Sequence, residues 1–252
     1  MYEEEFYAVT VTAKKKADLL NKNPMGYILS AILGGVFIGF GVLLVGTIAG
    51  LLKGQPYMKI VIGAAFGIAL SLIVMAGAEL FTGNSMIMSM GALGRTVTWK
   101  QTYKIWLVCY IGNWIGAILL AVLFVGGGLA TGAAGEAMAA TAAMKMSIPP
   151  LALFIRGILC NVLVCLAVWC TFRCKSESGK LIMIFWCLFA FNICGFEHSI
   201  ANMTYLTVAL MAPFQEAISV GGYFYNILIV TLGNMVGAAL FVVVPYYVIG
   251  KK

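Results

Sequence analysis

The sequence predicts an all-α polytopic membrane protein with six transmembrane helices, arranged as an inverted repeat of three plus three. Three observations support this prediction. Hydrophobic residues make up 62% of the 252 residues and charged residues only 10%, whereas soluble domains carry about 25% charge. The apolar residues fall into six long stretches, and two short motifs recur in the same order in both halves of the chain.

The six apolar stretches give the predicted spans, because a helix of about 20 apolar residues crosses the hydrocarbon core of a bilayer. The longest polar pieces are about the first 23 residues and a loop near 126–148, so we expect one transmembrane domain over 1–252 and no soluble domain. Segment 1–23 is charged and has no short apolar core before a cleavage site, so no signal peptide is predicted. The spans lie near 27–52, 60–90, 105–129, 151–171, 181–210 and 223–248.

The basic residues predict the orientation. A net charge of +7 would suggest nucleic acid in a soluble protein, but we expect no nucleic-acid partner for a chain of this composition. Most lysines and arginines fall on one side of the six spans, and the positive-inside rule places that side, with segment 1–23 and both termini, in the cytoplasm. The other side receives Lys53, Lys59 and Lys145, and Arg156 lies near the start of the fourth span. The cytoplasmic set is Lys14, Lys15, Lys16, Lys22, Arg95, Lys100, Lys104, Arg173, Lys175, Lys180, Lys251 and Lys252.

The chain carries an internal repeat. "GAELFTGN" (77–84) in the second span and "GFEHSIAN" (195–202) in the fifth share the frame G-x-E-x-x-x-x-N at an offset of 118. "GNWIGA" (112–117) in the third span and "GNMVGA" (233–238) in the sixth share G-N-x-x-G-A at an offset of 121. Two matches at nearly one offset favour a duplication of three spans.

Because three is an odd number, the second copy enters the membrane in the opposite sense, which makes the repeat inverted. Repeat one covers about 24–131 and repeat two about 150–250. The alternative is a chance match, since glycine is common in membrane helices.

Spans two and five are expected to be broken near the bilayer midplane, at Gly77, Gly83 and Gly195. Unwound backbone is tolerated at that depth only where it faces protein or a wet cavity, and its freed N–H and C=O groups need partners. Four polar side chains are predicted as this scaffold, with the carboxylates accepting backbone N–H bonds. They are Glu79, Asn84, Glu197 and Asn202.

His198 is the only histidine of the chain, and its counterpart in the first copy is Leu80. A symmetric scaffold does not need it. An ionisable residue inside a membrane is a functional hypothesis by default, and histidine exchanges a proton near neutral pH. A hydrogen-bonded core histidine is the alternative.

The seven cysteines show no metal-ligand spacing and are interpreted as small apolar packing residues. Cys170 and Cys174 lie one helical turn apart, which leaves a metal or redox role as the alternative. We predict no metal and no cofactor.

The stretches "AELFTGN" and "GFEHSIANM" closely resemble those of the formate/nitrite transporter family, and the resemblance runs from about Asn23 to the C-terminus. The family includes formate, nitrite and hydrosulfide channels of bacteria. The resemblance implies an aquaporin-like fold with helices two and five broken, a homopentamer with one pore in each protomer, and a multi-pass location in the bacterial inner membrane. Glycine spacings such as "GNWIG" and "GNMVG" offer faces for close packing.

The resemblance also implies site residues. The family's central histidine falls on His198 and its second-span threonine on Thr82. The outer-loop lysine corresponds to Lys145 and the fourth-span asparagine to Asn161, while the inner vestibule lysine is either Lys16 or Lys22. The apolar constrictions of the family fall on Leu70 and Phe81 on one side of the centre and on Phe66 and Phe191 on the other.

Each of these residues also has a purely structural alternative. The four apolar side chains could be ordinary core, and Thr82 could bond its own helix backbone. Lys145 could be an ordinary loop charge, whereas the Asn161 amide needs a partner in any case.

The predicted function is a channel or transporter for small monovalent anions of weak acids across the cytoplasmic membrane, with nitrite favoured over formate and hydrosulfide and with proton coupling through the central histidine, His198, as an open option. Sequence does not decide between an anion channel and proton symport. A neutral-solute channel for water or glycerol is the alternative, although the paired Asn-Pro-Ala loops of aquaporins are missing from this sequence. An ammonia channel would need more spans. An enzyme is not predicted, because the sequence offers no nucleophile and base pair and no metal-ligand cluster.

Overall fold

The computed structural model describes residues 2–250, so the assignment of Lys251 and Lys252 to the cytoplasmic side falls outside the described residues. The chain forms twelve α-helices and two π-helical turns over that range, which confirms the all-α prediction. The helices are α1 Glu3–Lys22, α2 Pro24–Leu51, α3 Met58–Ala65, α4 Ile68–Leu72, α5 Phe81–Leu93, α6 Trp99–Gly126, α7 Gly132–Ser147, α8 Pro150–Arg173, α9 Glu177–Ile193, α10 Ser199–Met211, α11 Val220–Ala238 and α12 Val244–Gly250, with π-helical turns at Ile73–Gly77 and Ala239–Val243.

The second and fifth predicted spans are each broken, as expected. Span two divides into α3, α4 and the first π-helical turn, followed by α5, and span five divides into α9 and α10. By length and composition, five segments of the described chain are able to cross a membrane. The fifth predicted span consists of two shorter helices, so the count of six spans stays a prediction. The five segments are Pro24–Leu51, Met58–Gly77, Trp99–Gly126, Pro150–Arg173 and Val220–Gly250.

Each break needs one glycine in a left-handed conformation, which side chains disfavour. Gly77 has φ of +82° and Gly195 has φ of +72°. The chain is then extended at Leu80 and at His198, immediately before α5 and α10 begin. Gly83 lies inside α5, so its expected role as a breaking residue is wrong: with helical residues on both sides it continues the helix.

Close packing between long helices explains the repeated G-N-x-x-G-A motif. A Cβ on Gly116 of α6 would lie 2.0 Å from the Ile32 carbonyl oxygen of α2, and a Cβ on Gly237 of α11 would lie 2.4 Å from the Ile158 carbonyl oxygen of α8. Only glycine allows backbones to approach so closely. These glycine faces therefore close pairs of helices within one protomer, α2 with α6 and α8 with α11.

Two helices cover opposite ends of the molecule. We call the face at which α1 and α12 lie the terminal face and the opposite one the distal face. At the terminal face α1 packs against α12, with the Phe6 and Tyr247 ring centroids 5.8 Å apart. Glu5 of α1 also pairs with Arg173 at the end of α8, at 3.2 Å. From that face α6 rises about 42 Å at 1.5 Å per residue to the distal face, where α7 follows. The N-terminal helix and the C-terminal helix thus share one face, as an even number of spans requires.

Candidate functional site

The two breaks meet at a narrow apolar cavity in the centre of the molecule. Its volume is about 10 Å³, which is at the lower limit for one water molecule. His198 is the one ionisable side chain among its lining residues, so a solute that passes here must shed most of its water. The lining residues are Ile38, Phe66, Leu70, Leu80, Val164, Leu188, Phe191 and His198.

His198 is held by both ring nitrogens. Nδ1 accepts a hydrogen bond from the backbone N–H of Ala201 at 3.1 Å and so caps α10. Nε2 lies 3.0 Å from the Thr82 hydroxyl oxygen. Because Nδ1 accepts, the neutral ring carries its proton on Nε2 and donates it to Thr82. The hydrogen of the Thr82 hydroxyl is then left for a second acceptor.

An aromatic wall closes the cavity on the distal side. The Phe191 ring stacks on His198 with centroids 6.2 Å apart, and it meets Phe66 edge to face at 5.5 Å. The structure therefore brings together four of the predicted site residues, Phe66, Phe191, His198 and Thr82.

On the terminal side the structure places Leu80 beside Leu70, and the predicted Phe81 lies elsewhere. The Phe81 ring packs edge to face against Tyr110 of α6, with centroids 4.9 Å apart. The assignment of Phe81 to the cavity wall is therefore wrong. Leu80 is the last extended residue before α5 and lines the cavity, whereas Phe81 begins the helix and packs against its neighbour.

A vestibule of about 160 Å³ opens from this constriction towards the terminal face. Lys16 of α1 lies on its wall, whereas Lys22 is exposed at the end of the same helix and does not line it. The structure thus places Lys16 at the position that sequence left open. Thr12, Asn84 and Phe172 line the same vestibule.

Two ion pairs stand on either side of the centre. Lys16 Nζ lies 2.6 Å from Glu79 Oε1, and Lys145 Nζ lies 2.9 Å from both carboxylate oxygens of Glu197. The side chains of the second pair are only 12% and 3% exposed. Each lysine is therefore largely neutralised by a carboxylate, which weakens the positive field around it.

Two asparagines complete these pairs. Asn84 Nδ2 donates to Glu79 at 2.7 Å, and Asn202 Nδ2 donates to Glu197 at the same distance. The expectation that the carboxylates accept backbone N–H bonds is wrong, because lysine, asparagine and, for Glu79, the Tyr27 hydroxyl occupy their oxygens.

The backbone groups freed at the breaks bind two other asparagines, which sequence reasoning missed. Asn113 Oδ1 accepts from the Phe81 N–H at 2.9 Å, and its Nδ2 donates to the Glu79 carbonyl at 2.8 Å. In the second repeat, Asn234 Oδ1 accepts from the Ser199 N–H at 3.0 Å, and its Nδ2 donates to the Glu197 carbonyl at 2.9 Å. Both asparagines belong to the repeated G-N-x-x-G-A motif, which was the available signal.

Asn161 supports the same region from α8. Its Nδ2 donates to the Asn234 carbonyl at 2.7 Å and to Ser85 Oγ at 3.1 Å. Its Oδ1 has no protein partner among residues 2–250. Within that range no three His, Cys, Asp or Glu side chains come together as a metal site requires.

A family model described as "Formate/nitrite transporter" matches residues 3–248. The chain belongs to the formate/nitrite transporter family. Among curated relatives of the family, the nitrite transporter NirC of Escherichia coli (strain K12) is 36% identical over 249 residues, which cover 98% of this chain and 92% of the relative.

Solved structures of the family agree with the fold. One described as an "FNT family ion channel" matches with a TM-score of 0.92 at 34% identity, covering 97% of this chain and 98% of the other. Another, described as a "Pentameric formate channel with formate bound", matches with a TM-score of 0.80 at 30% identity, covering 92% and 99%. The predicted fold class and family are confirmed, and the protein is a multi-pass membrane protein of a family of transporters and channels.

Proposed function

We propose that the protein conducts small monovalent anions of weak acids through a pore in each protomer, with nitrite as the favoured substrate and formate and hydrosulfide as further ones. One observation supports this most directly. The residues that line the constriction are apolar except for His198, whose Nε2 lies 3.0 Å from the Oγ1 of the buried Thr82 behind it. The name of the E. coli relative supports nitrite, and the bound formate of the pentameric relative supports the anion class.

The physical argument starts from desolvation. An anion that leaves water for an apolar passage loses many kcal/mol of hydration unless hydrogen-bond donors replace it. Cations and large hydrated solutes find no acceptor and no room in a cavity of about 10 Å³. A weak acid has a further route, because low dielectric favours its uncharged form.

His198 is expected to act as a neutral hydrogen-bond donor. Protonation of Nδ1 would replace the acceptor that caps Ala201, so a charged imidazole costs the first bond of α10. We propose that Thr82 donates to the anion while His198 Nε2 donates to Thr82. A proton would then cross with the solute when the solute passes as its neutral acid, which gives proton-coupled behaviour at low pH.

We also propose a homopentamer in a bacterial inner membrane with both termini in the cytoplasm. The pentameric relative supports the assembly, and the excess of basic residues at the terminal face supports the orientation. We propose that repeat one begins with α1 and repeat two with α7. The reason is that Lys16 of α1 pairs with Glu79 as Lys145 of α7 pairs with Glu197.

Flux through purified protein in liposomes tests the proposal. Nitrite, formate, hydrosulfide, chloride and glycerol are offered separately while membrane potential and internal pH are monitored. Anion flux that generates a potential supports a channel, and anion flux with internal acidification and no potential supports symport. Glycerol flux without anion flux would contradict the proposal and favour the neutral-solute alternative.

A further inference from the structure

The peptide groups on either side of His198 are held by a single side chain. His198 is extended, with φ of −109° and ψ of 117°, so its neighbours lack helical partners. Asn234 of α11 accepts a hydrogen bond from the Ser199 N–H at 3.0 Å and donates one to the Glu197 carbonyl at 2.9 Å. One planar amide therefore bridges the peptide before His198 and the peptide after it.

A second hydrogen bond from Asn234 Nδ2 holds the side-chain amide in place. Nδ2 also donates to the Gly157 carbonyl of α8 at 2.7 Å, and the Asn234 side chain is fully buried. The close approach of α11 to α8 at the neighbouring Gly233 brings the amide within reach, since a Cβ at that position would lie 2.4 Å from the Phe154 carbonyl oxygen. The amide is thus anchored to rigid helices on both sides.

We infer that Asn234 is the positioning residue that sets the direction of the His198 side chain. The two peptide planes that flank a residue define its φ and ψ, because each peptide group is planar. Holding both planes fixes the Cα–Cβ bond of His198 and, together with the cap to Ala201, the direction in which Nε2 points. The consequence for flux rests on the proposed function, whereas the positioning itself does not.

Asn113 supplies a matched control inside the same chain. It holds the two peptides that flank Leu80, through the Phe81 N–H and the Glu79 carbonyl, and it is anchored to Ala31 of α2 at 2.7 Å. A change at Asn113 therefore removes the same set of bonds from the other repeat. It leaves the bonds that Asn234 and the Ala201 N–H make to His198 and its two flanking peptides in place.

The experiment uses the fact that His198 is the only histidine. Full-length protein is labelled with ¹⁵N-histidine, purified through a tag without histidine, and its single pair of imidazole nitrogen signals is recorded by NMR. Wild-type protein is expected to show the tautomer with the proton on Nε2. Asn234→Asp keeps an oxygen for Ser199 but loses both donors, and it should shift or split these signals. Asn113→Asp should leave them at the wild-type positions.

Flux gives the second measurement. Replacing a partner that orients a metal-ligating histidine typically costs about tenfold or more in activity. By analogy, Asn234→Asp is expected to lower nitrite flux by about tenfold while retaining the oligomer. If the aspartates do not fold, Asn234→Ser and Asn113→Ser give the same comparison.

Two results would overturn the inference: imidazole signals that do not move in the Asn234 variant, or signals that move equally in the Asn113 variant. A wild-type protein that passes no anion, combined with the expected NMR difference, would instead reject the proposed function and leave the positioning role intact.

Discussion

At the scale of single residues, His198 combines a helix cap and a bond to another span, two contacts that ordinarily belong to different side chains. Its Nδ1 caps α10 and its Nε2 faces Thr82. The equivalent residue in the first repeat, Leu80, has no capping side chain, and α5 begins without a side-chain cap. The cap is therefore dispensable for a break of this type, and the donor on Nε2 is what the second repeat adds.

Replacement of His198 separates these two contacts. Asparagine is a good N-cap, so His198→Asn should fold, but its shorter amide stops short of Thr82. The loss of a neutral hydrogen bond, about 0.5–1.5 kcal/mol, predicts that nitrite flux falls by a factor of about two to ten. Liposome flux across a series of pH values measures the effect, and unchanged flux at every pH would reject the proposed role.

Leu80 and Phe81 provide a second test of neighbouring side chains with different surroundings. Leu80→Ala is expected to widen the constriction and raise single-channel conductance, because Leu80 lines the central cavity. Phe81→Ala should leave conductance unchanged and cost about 3–5 kcal/mol of stability, because its ring packs on Tyr110. Conductance recordings and thermal unfolding of both variants distinguish these effects. A conductance increase in Phe81→Ala alone would restore the sequence-based assignment.

At the scale of elements, each broken span depends on an ion pair supplied by another helix. α1 brings Lys16 to Glu79, and α7 brings Lys145 to Glu197, although neither α1 nor α7 was predicted as part of a repeat. The pairs join each break to a helix that lies at the face of the molecule. Breaking one should therefore loosen a whole element.

Removing one partner of the buried pair tests this coupling. Lys145→Met leaves the Glu197 carboxylate buried and uncompensated, which typically costs about 3–5 kcal/mol. The double variant Lys145→Met, Glu197→Gln removes both charges and should be closer to wild type. Thermal unfolding of both single variants and the double variant completes a double-mutant cycle. Additive costs would show that the two side chains are not coupled.

Sequence alone predicted the breaks because a local pattern encodes them: a glycine, then a carboxylate, then an amide five residues later. It could not give the partners of Glu79 or the role of Asn113, because those contacts join residues that are distant in sequence, such as Lys16 and Glu79. Sequence alone also does not show in which direction a side chain points at the start of a helix. Extended Leu80 and helical Phe81 point in different directions, and composition does not distinguish them.

At the scale of the whole molecule, the inverted arrangement brings both breaks to one central cavity. α2, α8 and α9 complete the wall of the central cavity around the two breaks. The glycine motifs close α2 on α6 and α8 on α11. Because these contacts lie within one chain, we expect the proposed pore to form inside each protomer and the proposed pentamer to position the pores without completing them.

Independent pores make a quantitative prediction for mixed assemblies. Val164→Phe adds bulk to a cavity of about 10 Å³ and should block its own pore, since that space holds about one water molecule. Co-expression with wild type at known ratios then gives pentamers whose flux falls in proportion to the fraction of blocked protomers. Native mass spectrometry checks the composition and liposome flux the activity. A fall steeper than linear would mean that each pore needs its neighbours, and the single-chain pore would have to be abandoned.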